Sequence, residues 1–169
     1  MFKHILMPTD GSQHSERAVE RGIELAKLCG AKVTGIHVMQ DHRLLDAGDG
    51  WIETAGEEME QEGREQAAAF LSFVQRTADA AGVPCRTVIA TNSRPVDAII
   101  NTANESGCDL IVMTSRFRKG LASLVMGSDA KRVLHRASIP VLMFRALMSA
   151  DHPDTKRRST NNREDALTS

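Results

Sequence analysis

Two kinds of segment alternate along this chain, and that alternation constrains the fold more than any other feature. Short apolar runs stand at 2–8 (FKHILMP), 32–39 (KVTGIHVM), 85–91 (CRTVIAT), 109–115 (DLIVMTS) and 139–144 (IPVLMF). Several are continuous in apolarity and rich in valine and isoleucine, as strands buried on both faces are. Between them the apolar residues recur at helical spacing. Over 13–29 they are Ala18, Val19, Gly22, Ile23 and Ala26. Over 57–81 they are Ala67, Phe70, Val74, Thr77 and Ala81, behind an acidic start of Glu57, Glu58, Glu60 and Glu62 that suits a helix N-terminus. Over 94–106 they are Val96, Ile99, Ile100 and Ala103, with Pro95 where a first turn tolerates proline, and over 128–137 Val133, Leu134 and Ala137. Gly30 and Gly82 stand where the first two helices should stop. The order β-α-β-α-β-α-β-α-β predicts an α/β fold, a parallel sheet with helices on both faces and right-handed crossovers.

A length of 169 residues fits one domain. Two stretches fall outside the pattern. Residues 40–56 form a long connection of the kind used as a lid or contact loop. Residues 146–169 lose apolar periodicity and read as a polar, disordered tail, which leaves 1–145 as the domain. The net charge of -1 gives no field that would draw the chain to nucleic acid or anionic lipid. Cys29, Cys85 and Cys108 are an odd set without a CxxC pair, which speaks against a disulfide framework or a structural zinc site and for a reducing compartment. The opening MFKHILMPTDGS is too briefly apolar for a signal peptide, and no run is long enough to span a bilayer. The expectation is a soluble, cytoplasmic protein.

In open parallel sheets ligands bind beyond the carboxyl ends of the strands. After the first strand stands Pro8-Thr9-Asp10-Gly11-Ser12, where Asp10 could bond an adenine amino group or a ribose, or where Asp10 or Ser12 simply caps the next helix. His37-Val38-Met39 closes the second strand and could floor a base. After the fourth strand a basic loop with Arg116, Arg118 and Lys119 leads to Gly127-Ser128 at a helix start, a place suited to phosphate. The six histidines show no HxxxH or HExxH pairing, and neither GxSxG nor GxxxxGK[ST] occurs, so no catalytic or metal constellation emerges.

Taken together, "ILMPTDGS", "AKVTGIHV", "CDLIVM" and "GLASLVMGSDAKRVLHRASIPVLMF" resemble the universal stress protein family over roughly 1–145. The resemblance implies a Rossmann-like three-layer sandwich of the adenine nucleotide alpha hydrolase-like kind, with strand order 3-2-1-4-5. It implies cytoplasmic homodimers and, in one branch of the family, binding of ATP or AMP with magnesium. Asp10 and Val38 match the adenine-contacting positions of that branch, with Pro8 and Met113 beside them. Gly127 and Ser128 match its phosphate-contacting positions, and Asp129 adds a negative charge just beyond. The two leading glycines of its motif, G-x-x-G, fall on Thr114 and Phe117, neither of which is glycine. Phe117 removes backbone freedom and sets a bulky ring near the phosphate path. The expectation is a non-enzymatic, dimeric stress-response regulator or interaction module with weak or absent nucleotide binding. The alternative is an ATP- or AMP-binding member whose basic loop substitutes for the missing glycines. The implied sheet order puts the last strand at an edge, where Val141, Leu142 and Met143 would pair with a second copy. An unidentified protein partner remains open.

Overall fold

The computed structural model describes residues 1–40, 53–115 and 128–145. Five strands form one parallel sheet of order β3-β2-β1-β4-β5. They are β1 (His4–Pro8), β2 (Lys32–Met39), β3 (Cys85–Thr91), β4 (Leu110–Ser115) and β5 (Val141–Arg145). The helices between them are α1 (Gln13–Cys29), α2 (Glu53–Ala81), α3 (Pro95–Glu105) and α4 (Ser128–Arg136). The α/β class, the element order and the strand order implied by the family resemblance are all present.

The sheet separates two cores. On one face Ile5, Met7, Val33, Leu110 and Val112 meet Val19, Ile23 and Ala26 of α1 and Val74 and Ala78 of α2. On the other, Leu6, Ile36, Ile111 and Met113 meet Val96, Ile99 and Ala103 of α3 and Ala130 and Val133 of α4. Neighbouring residues of β1 and β4 thus go to opposite cores, which is why both strands are apolar throughout. Each such isoleucine or valine, fully buried, stabilises the fold by about 1.5–3 kcal/mol. The cores press close: a Cβ on Gly35 of β2 would meet Val74 Cγ1 of α2 at 2.9 Å.

Helix ends follow local chemistry. Gly30 ends α1 with φ at +64°, a left-handed turn that lets the next residue, Ala31, donate its N–H to Ala26 O at 2.8 Å. Val83 and Cys108 make the same return bond after α2 and α3, to Ala78 O at 2.9 Å and Ala103 O at 2.8 Å.

Three local expectations are corrected. The connection over 40–56 is shorter than its polarity implied, because α2 begins at Glu53 rather than at 57. The buried stripe of α2 runs through Ala67, Leu71, Val74 and Ala78, while Phe70, Thr77 and Ala81 lie along its half-buried border. Leu134 points outward and is 48% exposed, since α4 turns Ala130 and Val133 to the sheet instead. One amphipathic stripe can be traced with a small rotation either way, and only packing fixes its centre.

Candidate functional site

The strand order decides where a ligand could sit. From β1 the chain winds to β2 and β3 on one side, and β4 and β5 lie on the other. The helices that follow β1 and β4, α1 and α4, pack on opposite faces of the sheet, the arrangement that in open parallel sheets places a crevice at the carboxyl ends of the adjacent strands. The described nucleotide-site candidates, Pro8, Asp10, Val38, Met113, Thr114, Ser128 and Asp129, lie in the carboxyl halves of β1, β2 and β4, in the turn after β1 or on the first turn of α4, whereas Val141, Leu142 and Met143 lie on edge strand β5.

Pro8 closes β1 opposite Ile36 of β2. The turn that follows is built from side-chain hydrogen bonds. Asp10 Oδ1 accepts from the Ser12 N–H at 3.1 Å and from the Ser12 hydroxyl at 2.6 Å. Ser12 is the N-cap of α1, its Oγ accepting from Ser15 N–H at 3.3 Å. The capping role weighed for this segment is therefore real, with Ser12 as the cap and Asp10 as the residue that orients it. Thr9 is buried beneath, its hydroxyl 3.1 Å from Ser15 Oγ and accepting from Gly11 N–H at 3.2 Å. Asp10 itself is exposed at the rim.

Val38 is half-buried near the end of β2, opposite Ala90 of β3, and its side chain packs with the α3–α4 core. Met113 is buried in that core, opposite Met143. Thr114 follows opposite Phe144, and its hydroxyl donates to Phe144 O at 3.3 Å. The side chain that stands in place of the first motif glycine is thus engaged with the neighbouring strand. Ser128 and Asp129 are exposed on the first turn of α4. The other end of α4 is tied to α3, where Arg136 Nη1 lies 2.6 Å from Asp97 Oδ1. Arg116, Phe117, Arg118, Lys119 and Gly127 lie outside the described residues.

His37, read from the sequence as part of a floor under a base, and Phe70, read as part of the α2 stripe, meet each other beside the turn after β1. His37 Nδ1 is 2.8 Å from Thr9 O, and its ring meets Phe70 edge-on with centroids 5.2 Å apart. Phe70 in turn fills the space beside Gly11, where a Cβ would come within 2.1 Å of its ring. The only sequence signal for this contact was the alternation of β2, which puts Gly35, His37 and Met39 on the α2 side. A separate groove of about 650 Å³ runs between α1 and α2, walled by Arg17, Glu20, Arg21, Glu24 and Lys27. It lies along the helices rather than at the strand ends, and its charges alternate in sign, so strand-end geometry takes precedence in locating the site.

A second polar cluster lies at the opposite, amino end of the sheet. Buried His4 places Nε2 2.7 Å from Thr34 Oγ1, which also accepts from Arg86 Nε at 3.0 Å. Burial, together with the charges of Lys32 and Arg86, holds the His4 imidazole below its ordinary pKa. Burial pushes the Cys108 thiol up to about 11, so it is inert as a nucleophile at neutral pH. Among the described residues no three His, Cys, Asp or Glu side chains are grouped to hold a metal ion, and no helix is long and apolar enough to cross a membrane.

The comparisons agree with this fold. The profile of the Universal stress protein family matches residues 1–145. Universal stress protein MJ0531 of Methanocaldococcus jannaschii is 33% identical over 147 residues, covering 86% of this chain and 83% of that protein. The solved structure of MJ0577, a hypothetical protein in its own description and a universal stress protein of the same organism, superposes with a TM-score of 0.73 at 24% identity, over 88% of this chain and 99% of that one. The universal stress protein of Archaeoglobus fulgidus, solved in complex with dAMP, superposes with a TM-score of 0.61 at 23% identity, over 85% and 97%. At those identities the two structures speak for the fold, and the family profile and the first relative speak for descent. A parallel sheet of order 3-2-1-4-5, a family profile that matches residues 1–145 and a relative 33% identical over 86% of the chain lead to one conclusion: this chain belongs to the universal stress protein family.

Proposed function

We infer that this protein is a cytoplasmic, dimeric stress-response module that binds adenine nucleotides weakly and acts by interaction rather than catalysis. The observation that carries the reading is the state of Thr114. Its hydroxyl donates to Phe144 O, and the family resemblance aligns it with a motif glycine, whose missing Cβ lets backbone N–H groups approach a nucleotide. The adenine side, with Asp10 and Val38, retains the residue types of the binding branch, and the Archaeoglobus relative carries dAMP on the same fold. The phosphate side lacks both leading glycines, at Thr114 and Phe117. Each lost hydrogen bond to a charged phosphate removes about 1.5–3 kcal/mol, so losing two moves a micromolar site to about millimolar.

Titration calorimetry with AMP and with Mg-ATP tests the reading. The expected result is dissociation constants near the millimolar range, with little gain from AMP to ATP. Thr114→Gly combined with Phe117→Gly is expected to strengthen Mg-ATP by at least about tenfold. Low-micromolar ATP binding by the unmodified protein would overturn weak binding and favour the reading in which Arg116, Arg118 and Lys119 replace the glycines.

The dimer belongs to the same proposal. Strand β5 is an edge of the sheet, apolar over Val141–Phe144, with Leu142 37% exposed. An apolar edge left open invites pairing, and a two-fold contact between copies closes both edges at once. Light scattering at micromolar concentration is expected to report twice the chain mass. A monomer under those conditions would end this part of the proposal.

A further inference from the structure

We propose that His37 is the positioning residue of the Asp10 loop, and that Phe70 is the strut tying that loop to α2. The proposal rests on the adenine-nucleotide reading only for its consequence in binding.

The chemistry of the His37 contact leaves one assignment. Its partner is a carbonyl oxygen, Thr9 O, at 2.8 Å, and a carbonyl only accepts. Nδ1 must therefore carry the proton, so the neutral ring has a bare Nε2. The bond fixes more than one atom. In a trans peptide the C=O of one residue and the N–H of the next point in opposite directions within a rigid plane. Holding Thr9 O toward β2 turns the Asp10 N–H away from β2. On the other side of Thr9, its own N–H donates to Ile36 O at 2.9 Å, so Thr9 is pinned to β2 through both of its backbone groups. The loop therefore starts from a residue held to β2 on both sides.

Phe70 restricts the next residue. Gly11 has φ at +71°, and the Phe70 ring occupies the volume that a Cβ there would need. The same ring meets the His37 imidazole at 67° between planes. His37 and Phe70 thus brace Thr9 and Gly11, the residues on either side of Asp10, from one direction. The hydroxyls of Ser12 and Ser15 hold the loop from the other.

Nitrogen-15 spectra of the unmodified protein in mildly alkaline buffer test the tautomer. Nδ1 protonated and Nε2 bare is the expected result; the opposite tautomer would overturn the proposal. His37→Asn keeps an N–H donor near the Nδ1 position, whereas His37→Leu removes it. The amide resonances of Thr9 to Ser12 are expected to match the unmodified protein in His37→Asn and to move in His37→Leu. AMP titrations followed by the same resonances are expected to give affinities within about twofold for His37→Asn and about tenfold weaker for His37→Leu. A leucine variant with unchanged loop resonances and unchanged AMP affinity would overturn the proposal, as would an asparagine variant no better than leucine. If millimolar AMP moves no resonance of the unmodified protein, the nucleotide reading fails, while the tautomer and loop resonances still decide the brace.

Discussion

Gly11 shows how a single missing Cβ can hold two elements together. Its backbone is left-handed, and the Phe70 ring from α2 rests where a side chain would project. Gly11→Ala meets both obstacles, a backbone cost of about 1–2 kcal/mol and overpacking of about 1–3 kcal/mol. Denaturant unfolding is expected to show a loss of at least about 2 kcal/mol. Adding Phe70→Ala should return the packing part and leave the backbone part, so the two changes should be non-additive. At the other end of the sheet His4 sets an acid limit. Burial, with the charges of Lys32 and Arg86, holds its pKa in the folded protein below the ordinary 6.5. Below pH 6.5 the unfolded chain therefore binds a proton that the folded one refuses, and stability falls as pH falls until the lowered folded value is passed. His4→Gln, which keeps a side-chain partner for Thr34, is expected to flatten that part of the stability profile. An unchanged slope in chemical denaturation just below pH 6.5 would assign the acid sensitivity elsewhere.

The two edge strands are not equivalent. Strand β3 carries Arg86, Thr87 and Thr91 among its exposed residues, and its Arg86 reaches inward to Thr34 and to Ser106. Its polar side chains and that inward bond make β3, although Ile89 is exposed, a less apolar template for pairing than β5. Strand β5 is apolar up to Arg145, and its ladder geometry leaves usable groups on the open side. Ile111 pairs with Val141, and its N–H donates to Pro140 O at 3.0 Å. In a parallel ladder a residue bonds to the two flanking its partner, so the N–H and C=O of Val141 point away from β4. Val141→Pro therefore removes an outward N–H and spares the bonds to β4. The expected outcome is a monomer or a dimer weakened at least about tenfold in sedimentation, with circular dichroism of a folded α/β protein. A dimer of unchanged strength would exclude β5 as the contact. Exposed Leu134 on α4 is outside the core and is the next surface to examine in that event.

At the scale of the molecule the family match ends at residue 145, where β5 ends. Among the described residues, none of which lies beyond that point, both cores are already formed. Deletion of 146–169 is expected to shift the melting temperature by no more than about 2 °C, the size of a change well under 1 kcal/mol. A loss of many degrees would show that this segment packs on the domain. The origin of this organisation divides cleanly between local and distant causes. The sequence by itself determined the element order, the inward stripes of α1 and α3, and the helix stops at Gly30 and Gly82. Repeats of two and near four residues, and the backbone freedom of glycine, depend only on near neighbours in the chain. The family motifs added the strand order and marked Asp10, Val38, Thr114 and Ser128. Tertiary structure alone decided that α2 starts at Glu53 and that Leu134 faces outward, because an amphipathic pattern tolerates rotation until a partner surface selects one face. It also decided that the Thr114 hydroxyl bonds to Phe144, and that His37 and Phe70 brace the turn around Asp10. Thr9 and His37 are 28 residues apart, and no local periodicity connects them. Their contact exists because parallel pairing of β1 with β2 aligns the two strand ends, and the register of a sheet is a property of the whole fold.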